Sequence, residues 1–164
     1  MSNPCLKCPT EQSCCRELHG LKINEAEYSQ LFEGKSEHLT VNKKGKLYEI
    51  SSLGSGPCPN WDGQCQIYGN RPMDCDLYPY TIGNVFESDN AVYATYHSRT
   101  ECPLTAELLG PREKAEALIT NFLKETYGEQ VKITVRYDEG AARIYHLVRR
   151  AASKAKRLLT GAST

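Results

Sequence analysis

The sequence predicts a single small α+β domain: a loop-rich cysteine-cluster body with short hairpins, followed by a helix–strand–helix C-terminal region. Three observations carry this. The chain has 164 residues, with 40% hydrophobic and 24% charged side chains, enough apolar material for one core and too little charge for wholesale disorder. All eight cysteines lie before residue 103. The charge divides at the same place: residues 1–104 carry 9 basic and 13 acidic side chains, a balance of −4, and residues 105–164 carry 11 and 7, a balance of +4. The expected organisation is a cysteine-cluster metal-binding region over 1–104, with a helix–strand–helix region over 105–164 packed on it.

Each element has a local signature. Residues 24–33 read as a helix, with Asn24 as N-cap, Glu27 three residues later as in a capping box, and Gly34 as the stop. Residues 39–41 and 46–51 flank Asn-Lys-Lys-Gly and read as a hairpin; 85–87 and 91–97 flank Ser-Asp-Asn and read as a second. The stretch from Cys58 to Tyr80 is rich in Pro, Gly and Asn and is expected to be mostly irregular. Residues 112–127 place Ala115, Leu118, Ile119, Phe122 and Leu123 on one side of a helix, with Pro111 just before its first turn. Val131, Ile133, Val135 and Tyr137 alternate with polar residues as in a half-buried strand. Residues 140–159 read as a second helix, with Ile144, Leu147, Val148, Ala151, Ala155 and Leu158 at helical spacing and the basic residues largely off that face.

Composition narrows the function. A formal net charge of zero and a pI near 6.9 argue against a general nucleic-acid binder. The chain begins Met-Ser-Asn-Pro-Cys without an apolar signal region, and no stretch approaches a membrane span, so a cytoplasmic protein with no membrane partner is expected. Eight cysteines are about three times what a chain of this length ordinarily carries. An even count fits a disulfide framework, but without an export signal, and with a chain long enough for a core, these thiols read as metal ligands.

The cysteines fall into three groups: Cys5, Cys8, Cys14 and Cys15; then Cys58, Cys65 and Cys75; then Cys102. Thiolate is the soft ligand of zinc and of iron–sulfur clusters. The C-x2-C of Cys5 and Cys8 puts two sulfurs within reach of one ion, and the remaining ligands must come from another direction, so these two are expected to share a metal with members of the 58–75 group. Cys14 and Cys15 are adjacent, and neighbouring side chains point apart, which places them in different shells or on different metals. Closing the roughly 40-residue loop between Cys15 and Cys58 costs only a few kcal/mol, which ligation can outweigh many times. The ordering of residues 1–104 is therefore expected to depend on the metal.

Structural zinc favours paired C-x2-C knuckles, whereas here the second pair is C-x6-C. Cys8, Cys58 and Cys102 each precede a proline, as ligand cysteines do in ferredoxin-type runs. An iron–sulfur cluster, 4Fe-4S in type, is preferred, with zinc as the alternative. Eight thiolates suffice for two four-ligand centres or for one centre with thiols to spare, and both arrangements stay open.

The run C-x2-C…C-C, then C-P-x-W-x-G-x-C-x-I-Y-x-x-R-P-x-x-C-x-x-Y-P-Y, then a later Cys-Pro, resembles the YkgJ-like cysteine-cluster family of zinc- or iron-chelating domains over about residues 5–103. That family includes small stand-alone proteins and a domain of flagellin lysine N-methylases. The resemblance implies metal chelation by Cys5, Cys8, Cys14, Cys15, Cys58, Cys65, Cys75 and Cys102. It also implies that Gly63, Ile67, Tyr68, Arg71, Pro72 and Pro79 shape the site. In this chain five residues separate Cys8 from Cys14, where the family commonly has two.

Other residues are given plainer roles. Arg71 is read as a structural partner of Asp74 or Asp76 in preference to a donor to a cluster or bound anion. His19 and His97 are read as surface or supporting residues in preference to ligands. Tyr48, Tyr68, Tyr78, Tyr80, Tyr93 and Tyr96 are read as packing around a small core. Gly54-Ser55-Gly56 is followed by Pro57 and Cys58 and is no nucleotide loop. The basic face of 140–159 is read as solvated. Two function classes follow: a metal-binding protein, structural or redox, with a protein partner left open, or a group-transfer enzyme such as a protein lysine N-methylase that uses the cluster domain.

Overall fold

The computed structural model describes residues 16–35, 37–53, 56–99 and 110–140. The first strand, β1 (Leu21–Asn24), alternates buried Leu21 and Ile23 with half-exposed neighbours. It runs directly into helix α1 (Glu25–Leu31). The Asn24 side chain accepts the Glu27 amide at 2.9 Å and Glu27 accepts the Asn24 amide at 3.2 Å, the capping box that the sequence predicts. The helix is shorter than 24–33. Phe32 turns out of it at φ −128° and is buried to 1% exposure, so core packing rather than Gly34 sets the end.

Strands β2 (Leu39–Lys44) and β3 (Leu47–Ser52) form the first hairpin. Lys44 pairs with Leu47, leaving Gly45 and Lys46 as a two-residue turn with Gly45 at φ +59°. The polar residues Asn42–Lys44, expected to be loop, instead extend β2 along the exposed end of the ladder. β3 is central: the sheet order is β1–β3–β2, antiparallel throughout.

Residues 56–79 are irregular apart from a 3-10 turn (Tyr68–Asn70) and one short helix, α2 (Met73–Asp76). Then β4 (Tyr80–Ser88) and β5 (Ala91–Ser98) form the second hairpin. β4 starts five residues earlier than residue 85. A register shift between Ile82 and Val85, at Gly83-Asn84, lets the strand continue past two weak strand formers. Helix α3 (Arg112–Tyr127) follows Pro111 and ends at Gly128, φ +106°. It leads to β6 (Lys132–Tyr137), which pairs in parallel with β5, giving the order β4–β5–β6.

The fold is thus α+β, with two three-stranded sheets and two apolar clusters. In the larger, Ala115, Ile119, Phe122 and Leu123 of α3 pack on Val92, Ala94 and Tyr96 of β5. Leu118, expected on that face, is 39% exposed at its margin. In the smaller, Leu21, Ile23, Ile50, Leu31 and Phe32 pack together, with Cys58, Ile67 and Cys75 against them. The second helix expected over 140–159 lies outside the described residues, although Glu139 and Gly140 are already helical.

Candidate metal centre

Cys58 sits on a turn. Trp61 N–H donates to the Cys58 carbonyl at 2.9 Å, closing residues 58–61. The Asn60 amide faces the Cys58 sulfur and favours its thiolate, although burial has the larger effect and pushes the Cys58 thiol up. Asn60 locks the turn. Its carboxamide, 5% exposed, donates to the Leu31 carbonyl at 3.1 Å and accepts the Lys35 ammonium at 2.9 Å.

Cys65 comes back beside it. Trp61 and Cys65 form an isolated antiparallel bridge, the Gln66 amide donates to the Asn60 carbonyl at 2.9 Å, and Gly63 makes the reversal at φ +67°. This small loop delivers the two thiols of the C-x6-C pair to one side.

Cys75 arrives from α2. The Met73 amide donates to the Glu27 carboxylate at 2.7 Å, tying α2 to α1. Arg71 bonds Asp76 through both Nε (2.9 Å) and an NH2 group (2.6 Å), with its guanidinium 4.1 Å from the Tyr68 ring centre. The structural role predicted for Arg71 holds with Asp76, while Asp74 turns inward: burial pushes its carboxyl up, against the pull of the Lys22 and Ile82 amides that donate to it. Burial also pushes the Cys75 thiol well up, and Asp74, Cys58 and Cys65 push it the same way.

The three cysteines line one cavity of about 70 Å³. Around it stand Phe32, Trp61, Ile67 and Pro72, with Arg71 and Arg99 at polar positions. All three are free thiols. Cys5, Cys8, Cys14, Cys15 and Cys102 lie outside the described residues, so the arrangement expected for Cys5 and Cys8 does too. Among the described residues, no three His, Cys, Asp or Glu side chains stand together as a group able to hold a metal ion.

Two contacts bring the flanking chain here. The Cys58 amide donates to the carbonyl of Arg16, the residue after Cys15, at 2.8 Å. Arg99, three residues before Cys102, lines the cavity and donates to the His19 carbonyl at 2.7 Å. His19 lines the cavity with an exposed ring 3.6 Å from Glu17, whereas His97 lies on β5 outside this lining. The tyrosines pack as predicted in two places: Tyr28 stacks on Tyr48 at 4.2 Å, and Tyr80, Tyr96 and Tyr137 meet edge to face. Tyr93 departs from this and is 49% exposed. Sequence reasoning missed Asn60, Glu27 as an anchor of α2, and Asp74 as a buried acceptor. Only the Asn24-x-x-Glu27 spacing carried any local signal for one of them.

No helix among the described residues is long and apolar enough to cross a membrane. No curated protein and no solved structure matches the chain. A family model does match, over residues 4–106, well over half the length, and its description is "Putative zinc- or iron-chelating domain". With its cysteine groups inside that match, the chain belongs to this CxxCxxCC family of metal-chelating domains.

Proposed function

We propose that the protein is a metal-binding cysteine-cluster protein in which Cys58, Cys65 and Cys75 are ligands of one centre, completed by thiols from the Cys5–Cys15 group and by Cys102. The observation that carries this is the convergence of Cys58, Cys65 and Cys75, from a turn, a loop and a helix, on a single cavity. The donor set fits a soft metal: three cysteines are among the lining residues, and the Asp74 carboxylate, also in the lining, is already engaged by backbone amides. Burial raises the Cys58 and Cys75 thiols, so a bound cation would compensate the charge that the protein around them does not.

Chain connectivity supports the completion. Arg16 is bonded to Cys58 and is joined directly to Cys15. Arg99, three residues before Cys102 in the sequence, lines the cavity. At about 70 Å³ the cavity is far below the ~300–1,000 Å³ typical of sites for organic molecules. A compact inorganic occupant suits it better than the donor of a group-transfer enzyme. An iron–sulfur cluster is preferred over zinc because Cys58 is followed by proline and the Cys58–Cys65 pair is C-x6-C rather than a matched C-x2-C knuckle. When bound, the group would supply cross-links between loops and, as a cluster, electron transfer.

Anaerobic purification followed by metal analysis and absorbance tests this. Iron with acid-labile sulfide and a broad visible absorption is the expected result, and colourless stoichiometric zinc would select the alternative. Cys75→Ser is expected to lose metal as completely as Cys5→Ser. Full retention in Cys75→Ser would remove Cys75 from the centre.

A further inference from the structure

Beside Cys75 stands a carboxylate that the ligand set does not use. Asp74 is 4% exposed, the one charged side chain buried among the described residues. Its Oδ2 accepts the Lys22 amide at 2.9 Å, and its Oδ1 accepts the Ile82 amide at 2.9 Å and the Thr81 hydroxyl at 3.3 Å. Lys22 belongs to β1 and Ile82 to β4. Each is an edge strand, one of the first sheet and one of the second. Edge amides need an acceptor when they are buried, and a buried carboxylate needs donors. One side chain meets both needs and links the two sheets.

We propose that Asp74 is a positioning residue for the metal centre: a bracket between the edges of the two sheets that holds Cys75 in the cavity and passes ligation at Cys75 on to both. The proposal rests on the metal-binding reading above. α2 is four residues long and is not stable by its own hydrogen bonds, so its place depends on what its side chains grip. Glu27 grips it only from α1, and Arg71–Asp76 only from the chain just before it. Asp74 alone reaches both sheets. Asp74 and Cys75 are adjacent on α2 and both line the cavity, so the bonds that fix Asp74 to the strand edges also fix where Cys75 meets the cavity. A metal that holds Cys75 then restrains Asp74 and lengthens the lifetime of its bonds to the Lys22 and Ile82 amides.

The test uses the full chain, cobalt(II) under anaerobic conditions as probe, and amide hydrogen exchange followed by NMR. In the native protein, cobalt should produce sulfur-to-metal charge-transfer absorption, and the Lys22 and Ile82 amides should slow together. In Asp74→Asn, whose carboxamide offers one acceptor oxygen instead of two, cobalt affinity should fall by about tenfold or more. The metal-dependent protection of the two amides should be lost as well. A role confined to fold stability would lower melting equally with and without metal and leave affinity unchanged. Unchanged affinity and spectrum in Asp74→Asn, or exchange at Lys22 and Ile82 indifferent to cobalt in the native chain, would overturn the bracket while leaving metal binding intact. Absence of a cobalt charge-transfer band together with absence of iron and zinc from the anaerobically purified protein would overturn the metal reading, and the bracket with it. Should Asp74→Asn not fold, the native chain decides: slowing of both the Lys22 and Ile82 amides on cobalt addition supports the bracket, and exchange at either amide indifferent to cobalt refutes it.

Discussion

A buried carboxamide controls where the first central thiol sits. Asn60 spends its amide on the last carbonyl of α1 and its oxygen on Lys35, and in doing so fastens the Cys58 turn to the smaller apolar cluster. Asn60→Ala would leave the buried Leu31 carbonyl without that donor. The expected cost is about 1–3 kcal/mol, read from urea unfolding of the metal-free chain. A change within error would mean that the turn is held elsewhere. Legibility at this scale was uneven. Cysteines are conspicuous by chemistry, and their spacing marks them as a set. Asn60 and Asp74 look like ordinary loop polar residues until the chain closes over them, because burial is not a local property.

Two elements make sharper tests. The β2–β3 turn places Gly45 at φ +59°, and a Cβ there would overlap the Glu87 carboxylate, which accepts the Tyr127 hydroxyl at 2.7 Å. Gly45→Ala should therefore destabilise by about 1–2 kcal/mol from the left-handed backbone alone. The displacement of Glu87 adds to this, and a lowered Tm would register both. The α1 capping box carries a pH signature. Burial pushes the Glu27 carboxyl above the ordinary carboxylate range, against the Met73 and Asn24 amides that bond it. The folded chain thus holds this proton more tightly than the unfolded chain. The stability involved is present below the unfolded value and is lost as pH rises through the folded one. Glu27→Gln removes that loss. Relative to the native protein, the variant should gain as pH rises above the ordinary carboxylate value of about 4.3. Parallel pH–stability profiles would contradict the direction.

Across the molecule, hydrogen bonding and packing are unevenly shared. The strands and α3 have ladders and two apolar clusters of their own, while residues 56–79 have turns, side-chain anchors and three thiols. Metal dependence is therefore expected to be greatest in 56–79 rather than uniform over 1–104. Chelation should open protease cleavage within this segment first, and peptide mapping would locate the cut. Initial cleavage within β4, β5 or α3 would contradict this distribution.

The sequence by itself determined the α+β class, the capping box of α1, α3 and β6, and the cysteine-cluster family. Each of these is written in short-range period, cap chemistry or residue spacing. The ends of elements moved where packing overrode local signals: Phe32 left α1 to be buried, and β4 ran on through a register shift at Gly83-Asn84. The parallel pairing of β6 with β5, the delivery of Cys58, Cys65 and Cys75 to one cavity, and the grip of Asp74 on two sheet edges were decided only by tertiary structure. The physical reason is range. Lys22 and Ile82 lie 52 and 8 residues from Asp74, and what joins them is the burial of one carboxylate among amides that no local pattern pairs.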